Sequence, residues 1–351
     1  MEFGVALPAR VGDHALVALA EELGFTQAWF YDSQMLYSDV YATMAVAAMR
    51  TSRIRLGTGV AVPTTRLAPV IAHAIATVAQ LAPGRVELGI GAGNTARYTM
   101  GLPPMRLATL RREMRAIRAL LAGDTAVLEI EGGAYPVRFL HRDRGFLNLH
   151  DPIPITLSAL LPKALALCGE EADAHLTWGV GPDVLAFQRA AIAESAARAG
   201  RDVAGIPSKG IFPTVVLAPG ETSASERVLS AAAPFVTNLL HVQVEWKSAP
   251  LPLSASVQPL VERYQAWAEA LPGPTRHLLL HEGHLVYARP DEREYVVPEL
   301  AELAAIIGEP DAVIARVRAL EAAGLSHFAI QPTDDPARQM RDFAEQVVAR
   351  Y

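Results

Sequence analysis

Short apolar runs alternate along this chain with longer stretches in which apolar positions recur every three or four residues. Short runs bounded by turn residues read as buried strands, and the longer period reads as amphipathic helix. Strands are predicted over 3–7, 26–31, 54–60, 85–90, 153–158, 174–178, 211–217 and 327–331. Helices are predicted over 15–23, 40–50, 69–81, 107–121, 162–172, 184–199, 311–323 and 336–349. Two stretches break the alternation. Residues 126–146 carry alternating polarity around Gly132-Gly133 and read as a hairpin. Residues 222–303 are the least regular, with helical pieces and a strand-like run over 276–287.

Eight strand–helix units in succession most simply close into a (β/α)8 TIM barrel. The prediction is therefore an α/β fold in one domain over 1–351. It carries a hairpin insertion after the fourth long helix and a large insertion at about 222–305, after the seventh strand. A doubly wound open sheet is the alternative.

Composition narrows the function classes. The chain has 351 residues, of which 51% are hydrophobic and 19% charged, enough for one large core. The formal charge is −6 with no long basic run, which argues against a nucleic-acid partner. No apolar run has the length of a membrane span and no leader pattern opens the sequence, so the expected setting is cytoplasmic, away from membranes. A single cysteine, Cys168, excludes an internal disulfide framework and sits mid-helix among Ala and Leu as a core residue.

Candidate chemistry clusters at predicted strand ends, where α/β barrels hold their ligands. Gly57-Thr-Gly59-Val60 closes the third strand and Gly89-Ile-Gly-Ala-Gly93 closes the fourth. Bare backbone there suits either a flat ligand or close packing of neighbouring elements. The spacing of the second run departs from the dinucleotide fingerprint, and no ribose-binding acid follows at the usual offset. Ser158 through Pro162 leads into a helix start that can hold an anion, or simply cap. His281-Glu-Gly-His284 resembles a metal run. On a strand, however, His281 faces away from His284, so no metal is expected.

The segments 22–32, 55–66, 83–91, 162–173 and 308–324 together resemble the bacterial luciferase-like oxidoreductases. These are (β/α)8 barrels that use flavin mononucleotide (FMN) or the deazaflavin coenzyme F420. The chain is most similar to the deazaflavin branch, which contains methylenetetrahydromethanopterin reductase.

The resemblance implies F420 as cofactor, FMN as the alternative, and hydride transfer to or from a small organic substrate. A luciferase-like monooxygenase fed with reduced FMN by a separate reductase is the second reading. A non-catalytic flavin-binding barrel is the third. A homodimer is also implied.

Residue by residue, the resemblance implies that Gly59 and Val60 form a bulge behind the cofactor's middle ring, one that a non-proline cis peptide would suit. Asp32 and Ser33 would lie beside the ring, and Asn94 and Arg97 at its edge or on the substrate side. Ser158, Ala159, Leu160, Leu161 and Pro162 would hold the phosphate, together with Thr177, Trp178, Gly179, Val180 and Gly181. Deazaflavin relatives often have histidine where Ser33 stands, and some have a carboxylate at Asn94. Serine and asparagine are poor proton donors, so His281 and His284 of the insertion are expected to share catalysis with Asp32.

Overall fold

The structure is a computed structural model that describes residues 1–246 and 253–351. The part of the expected insertion at 247–252 lies outside the described residues. Eight parallel strands form a closed barrel in chain order: Glu2–Leu7, Gln27–Phe30, Arg55–Thr58, Val86–Ile90, Ile155–Ser158, Ala174–Trp178, Ser208–Phe212 and Leu325–Ile330. The first strand pairs with the eighth, Glu2 opposite His327 through Val5 opposite Ile330, which closes the ring and excludes the open sheet.

The strands are buried on both faces, as their unbroken apolar runs require. Outside them, helices such as Ala68–Leu81 and Leu107–Leu121 turn Ile71, Ile75, Leu110, Met114 and Ile117 onto the barrel. Proline at the first or second position starts several of these helices, where its missing N–H costs nothing.

The expected hairpin is present as Ala126–Ile130 against Gly133–Val137. Glu131 and Gly132 both have positive φ, as a two-residue hairpin turn of the favoured hand demands.

The seventh strand requires a correction. It ends at Phe212 and not at 217. Pro213 has no N–H with which to continue the ladder, and Thr214–Val216 leaves the barrel to pair with Ile306–Gly308. The insertion thus departs and returns along two adjacent short strands. Its helices Glu226–Glu245, Gln258–Ala270 and Pro298–Ala304 enclose a second apolar core of Phe235, Leu240, Tyr264, Tyr295 and Leu300.

The strand expected at 276–287 is also corrected. Arg276–Leu280 is a short helix and the chain continues in turns through Tyr287. Leu278-Leu279-Leu280 suits either state by composition, and only its packing against the second core decides.

Trp29 fills the barrel interior and is fully buried. A Cβ on Gly57 would lie 2.7 Å from its ring, and one on Gly89 would lie 2.0 Å from the Thr58 carbonyl oxygen. At these two positions the glycines serve packing and not ligand approach. Gly89→Ala should therefore cost about 1–3 kcal/mol through forced strand separation. Gly205→Ala, where an added Cβ meets nothing within 4 Å, should change stability by less than about 1 kcal/mol. Urea unfolding of the two variants checks this, and equal midpoints would exclude the packing account.

Candidate active site

The Gly59–Val60 peptide bond is cis. It lies just past the third strand, where the Gly59 N–H donates to the Phe30 carbonyl at 2.6 Å and Ala61 resumes pairing with Gly89 and Gly91. Thr58 Oγ1 donates to the Gly89 carbonyl at 2.6 Å, tying the third and fourth strand ends together. Gly59 and Val60 are half-buried, and Val60 packs on a small apolar layer of Ala6, Trp29, Tyr31, Leu176, Ile211 and Ala329. This layer roofs the barrel interior and floors the mouth.

Asp32 stands at the end of the second strand, and its carboxylate is held by Arg66 at 2.7 and 2.9 Å and by Gln34 at 2.8 Å. Arg66 also reaches Asp39 at 2.7 Å and lies over the Tyr41 ring. Burial raises the Asp32 pKa, and the Arg66 guanidinium works against that rise. Arg66 is the functional partner that residue-type reasoning did not assign; it entered only as part of the resemblance. Ser33 is buried, and its carbonyl accepts from the Leu36 and Tyr37 N–H groups, closing the turn after Asp32.

Asn94 opens a five-residue helix behind Gly93. Arg97 on that helix donates to Thr64 Oγ1 at 2.6 Å and to the Pro103 carbonyl, so its guanidinium braces the loop after the bulge.

The expected phosphate positions divide into two groups. Ala159 is buried; its N–H donates to Leu176 and its carbonyl accepts from His175 Nε2 at 2.8 Å. The Thr177 hydroxyl is buried and donates to Gln188 at 2.9 Å, the Trp178 indole donates to Gln331 at 3.0 Å, and the Gly179 N–H donates to Ile211. Ala159, Thr177, Trp178 and Gly179 are thus committed to the fold. Ser158, Leu160, Leu161 and Pro162 on one turn, and Val180 and Gly181 on the next, remain at two helix starts without side-chain caps. Gly179 at φ +61° supplies the turn into the second of these. The Arg316 guanidinium lies 3.5 Å from where a Cβ on Gly181 would stand, a cation beside that helix start that the sequence did not single out.

Part of the insertion reaches the mouth. Leu285, at φ 56°, packs on the same apolar layer as Val60 and Trp178, and the Tyr37 hydroxyl donates to the His284 carbonyl at 2.8 Å. The expected proton donors are corrected here. His281 and His284 are both buried, with ring centroids 5.6 Å apart. Because the segment is helix and turn and not strand, the two rings face one another and do not diverge. His281 Nε2 bonds Glu245 at 2.6 Å and His284 Nε2 bonds Thr95 Oγ1 at 3.0 Å. Burial pushes the His284 pKa well below the usual imidazole range, leaving it neutral at pH 7. Both Nε2 atoms are thus engaged within the protein, by Glu245 and by Thr95.

The architecture and the mouth geometry define a parallel barrel enzyme class with its ligand site at the strand ends. A family model described as luciferase-like monooxygenase matches residues 1–327, and the chain belongs to this bacterial luciferase-like family. Its relatives include 5,10-methylenetetrahydromethanopterin reductase of Methanolobus tindarius, 35% identical over 52% of this chain and 55% of that protein. F420-dependent glucose-6-phosphate dehydrogenase of Beutenbergia cavernae is 34% identical over 55% of this chain and 60% of that protein. The chain thus spans little more than half the length of these curated relatives. The solved coenzyme F420 dependent tetrahydromethanopterin reductase from Methanopyrus kandleri superposes with a TM-score of 0.73 over 100% of both chains, at 21% identity, which shows the shared fold.

His175 generates a pH prediction. It is fully buried, and burial lowers its pKa to about 4 while it holds the Ala159 carbonyl. The unfolded chain, with histidine near 6.5, binds more protons than the folded one between those values. Stability is therefore complete above about pH 6.5 and falls by about 3 kcal/mol as the pH drops toward 4. His175→Gln should remove this share of the pH slope in urea unfolding between pH 4.5 and 7. Identical slopes in the two proteins would exclude it.

Proposed function

We propose that this chain transfers a hydride between the deazaflavin coenzyme F420 and a small organic substrate. The observation that carries the reading is the segment just past the third strand, where Gly59 and Val60 present backbone and one small side chain at the barrel mouth beneath Leu285 of the insertion. The F420-dependent relatives support the choice of cofactor.

The residues present fit such a group. Gly59 and Val60 would back its ring system, and the uncapped helix starts at Pro162 and Pro182, with Arg316 beside the second, would hold its phosphate. When bound, the deazaflavin supplies a hydride-carrying ring carbon. The chain's own work is to orient and to exclude water. The Asp32–Arg66 pair fixes one side of the mouth, and Asn94 and Ser33 offer hydrogen bonds for a substrate's polar atoms. Leu285 and Tyr37 close the top. Asp32 is the carboxylate at this mouth whose pKa burial raises, and it is the residue to which a proton-handling role falls. The same reading includes a homodimer.

A second reading, an FMN-dependent monooxygenase, is favoured by the description of the family model itself. Titration of the purified protein with F420 and with FMN, followed by reduced cofactor under air and under argon, separates the two. The expected result is tighter F420 binding and substrate-dependent oxidation that ignores oxygen. Oxygen-dependent turnover with FMN would establish the second reading, and binding without oxidation across a broad substrate panel would leave a binding protein. Val60→Trp should weaken F420 binding at least ~10-fold, the loss expected when a bulky group replaces a ligand contact, with its urea midpoint nearly unchanged. Undiminished affinity would remove the bulge from the cofactor site.

A further inference from the structure

Three histidines from separate parts of the insertion meet beside the mouth. His241 comes from the last turn of Glu226–Glu245, and His281 and His284 from the turns after Arg276–Leu280. One ring nitrogen from each lies within 4.8 Å of the others. All three residues are at most 4% exposed. Their rings are mutually close, with centroids 5.5, 5.6 and 6.2 Å apart.

The hydrogen-bond pattern is the informative part. His241 Nε2 bonds Glu292 at 3.0 Å, His281 Nε2 bonds Glu245 at 2.6 Å and His284 Nε2 bonds Thr95 Oγ1 at 3.0 Å. Each Nε2 is therefore taken. Each Nδ1 is buried with no hydrogen-bond partner among the described residues. A neutral imidazole that donates from Nε2 carries a bare lone pair on Nδ1. His241 and His281, whose Nε2 faces a carboxylate that can only accept, carry such lone pairs, and the tautomer of His284 that donates to Thr95 Oγ1 adds a third; buried acceptors without donors are costly in a core. A cation at their centre would satisfy all three.

The geometry points to a resident divalent metal ion, of the zinc class, held by Nδ1 of His241, His281 and His284. Three neutral imidazoles with an open fourth position suit zinc chemistry. Carboxylates on the far ring nitrogens are the usual outer partners of metal-bound histidine, since they fix the tautomer and raise ligand basicity. Here Glu292 and Glu245 hold those places, and their two negative charges match a divalent ion in a buried site. Glu292 is itself fixed by the Tyr264 hydroxyl at 2.6 Å and the Arg289 N–H at 3.2 Å. Zinc–nitrogen bonds of about 2.0–2.1 Å set nitrogen spacings near 3.4 Å, and one ring nitrogen from each histidine already lies within 4.8 Å of the other two. His284 also lines a cavity of about 220 Å³, together with Tyr37, Ser38, Glu282 and Tyr287. The ion would tie two parts of the insertion to each other and, through Thr95, to the barrel mouth.

The test uses the full chain, stripped with a chelator and titrated with Zn²⁺ and with Co²⁺ against a competing chromophoric chelator. One ion per chain, visible Co²⁺ bands of four-coordinate intensity and a higher melting temperature with Zn²⁺ are expected. His241→Gln and His284→Gln should abolish stoichiometric binding. Glu245→Gln should weaken it by about 10–100-fold while leaving the apoprotein folded by circular dichroism. Glu302→Gln, an exposed acid of the same insertion, should bind as the parent does. If the histidine variants do not fold, the parent and Glu245→Gln decide the matter. No stoichiometric ion in the parent, or equal affinity in Glu245→Gln and in the histidine variants that fold, would overturn the site.

Discussion

Trp29 is the side chain around which this barrel is arranged. It projects inward from the second strand, fully buried, and leaves no room for a side chain at Gly57; at Gly89 the Thr58 carbonyl oxygen does so, with the indole 3.1 Å from where the Cβ would stand. A Cβ on Gly59 would already stand 3.2 Å from the tryptophan Cβ. The large residue on one strand and the missing side chains on its neighbours are one solution to one volume constraint. Beneath it, Lys209 places its ammonium 5.6 Å from the indole centroid and pairs with Glu87 at 2.6 Å, while Gln27 and Thr156 also donate to that carboxylate. A buried ion pair of this kind is retained only where further hydrogen bonds satisfy it, as they do here.

This interior fixes the floor of the mouth. Just past the end of the third strand at Thr58, Val60 packs on the apolar layer that includes Trp29, Tyr31 and Ile211. The bulge therefore stands on a packed layer and not on solvent. Asp32 leaves the same strand as Trp29 three residues later, and Arg66 returns from the far side of the bulge to meet it. The candidate site and the core are continuous, and small changes in the core should be felt at the mouth.

The insertion solves a different problem. It buries its own apolar core of Phe235, Leu240, Tyr264 and Tyr295, so it can hold a fixed shape above the barrel. Within it, His241, Tyr264 and Glu292 form a buried polar network that an apolar core alone would not require. Its contacts to the barrel include Leu285 on the apolar layer, Tyr37 on the His284 carbonyl, Thr95 on the His284 ring, Tyr98 stacked on His281 and Thr333 on the Ala231 carbonyl.

The sequence alone carried the barrel, because each strand is a short apolar run and each helix a 3.6-residue pattern, and both are local properties. The hairpin around Gly132-Gly133 and the helix start at Pro162 were legible for the same reason. The resemblance carried the bulge and the position of Asp32. The sequence did not reveal which glycines serve packing, since that depends on a tryptophan 28 and 60 residues away (57 − 29 and 89 − 29). It did not show that Thr177 and Ala159 are spent on the core, because their partners Gln188 and His175 are fixed by helix and strand packing. It misread 276–287, where a run of leucines carries no period and only the second core selects helix over strand. That one choice turns His281 toward His284 instead of away, and His241 joins them from 40 residues upstream (281 − 241). Local pattern reports which residues are buried; which buried polar groups face one another is decided only when distant elements pack.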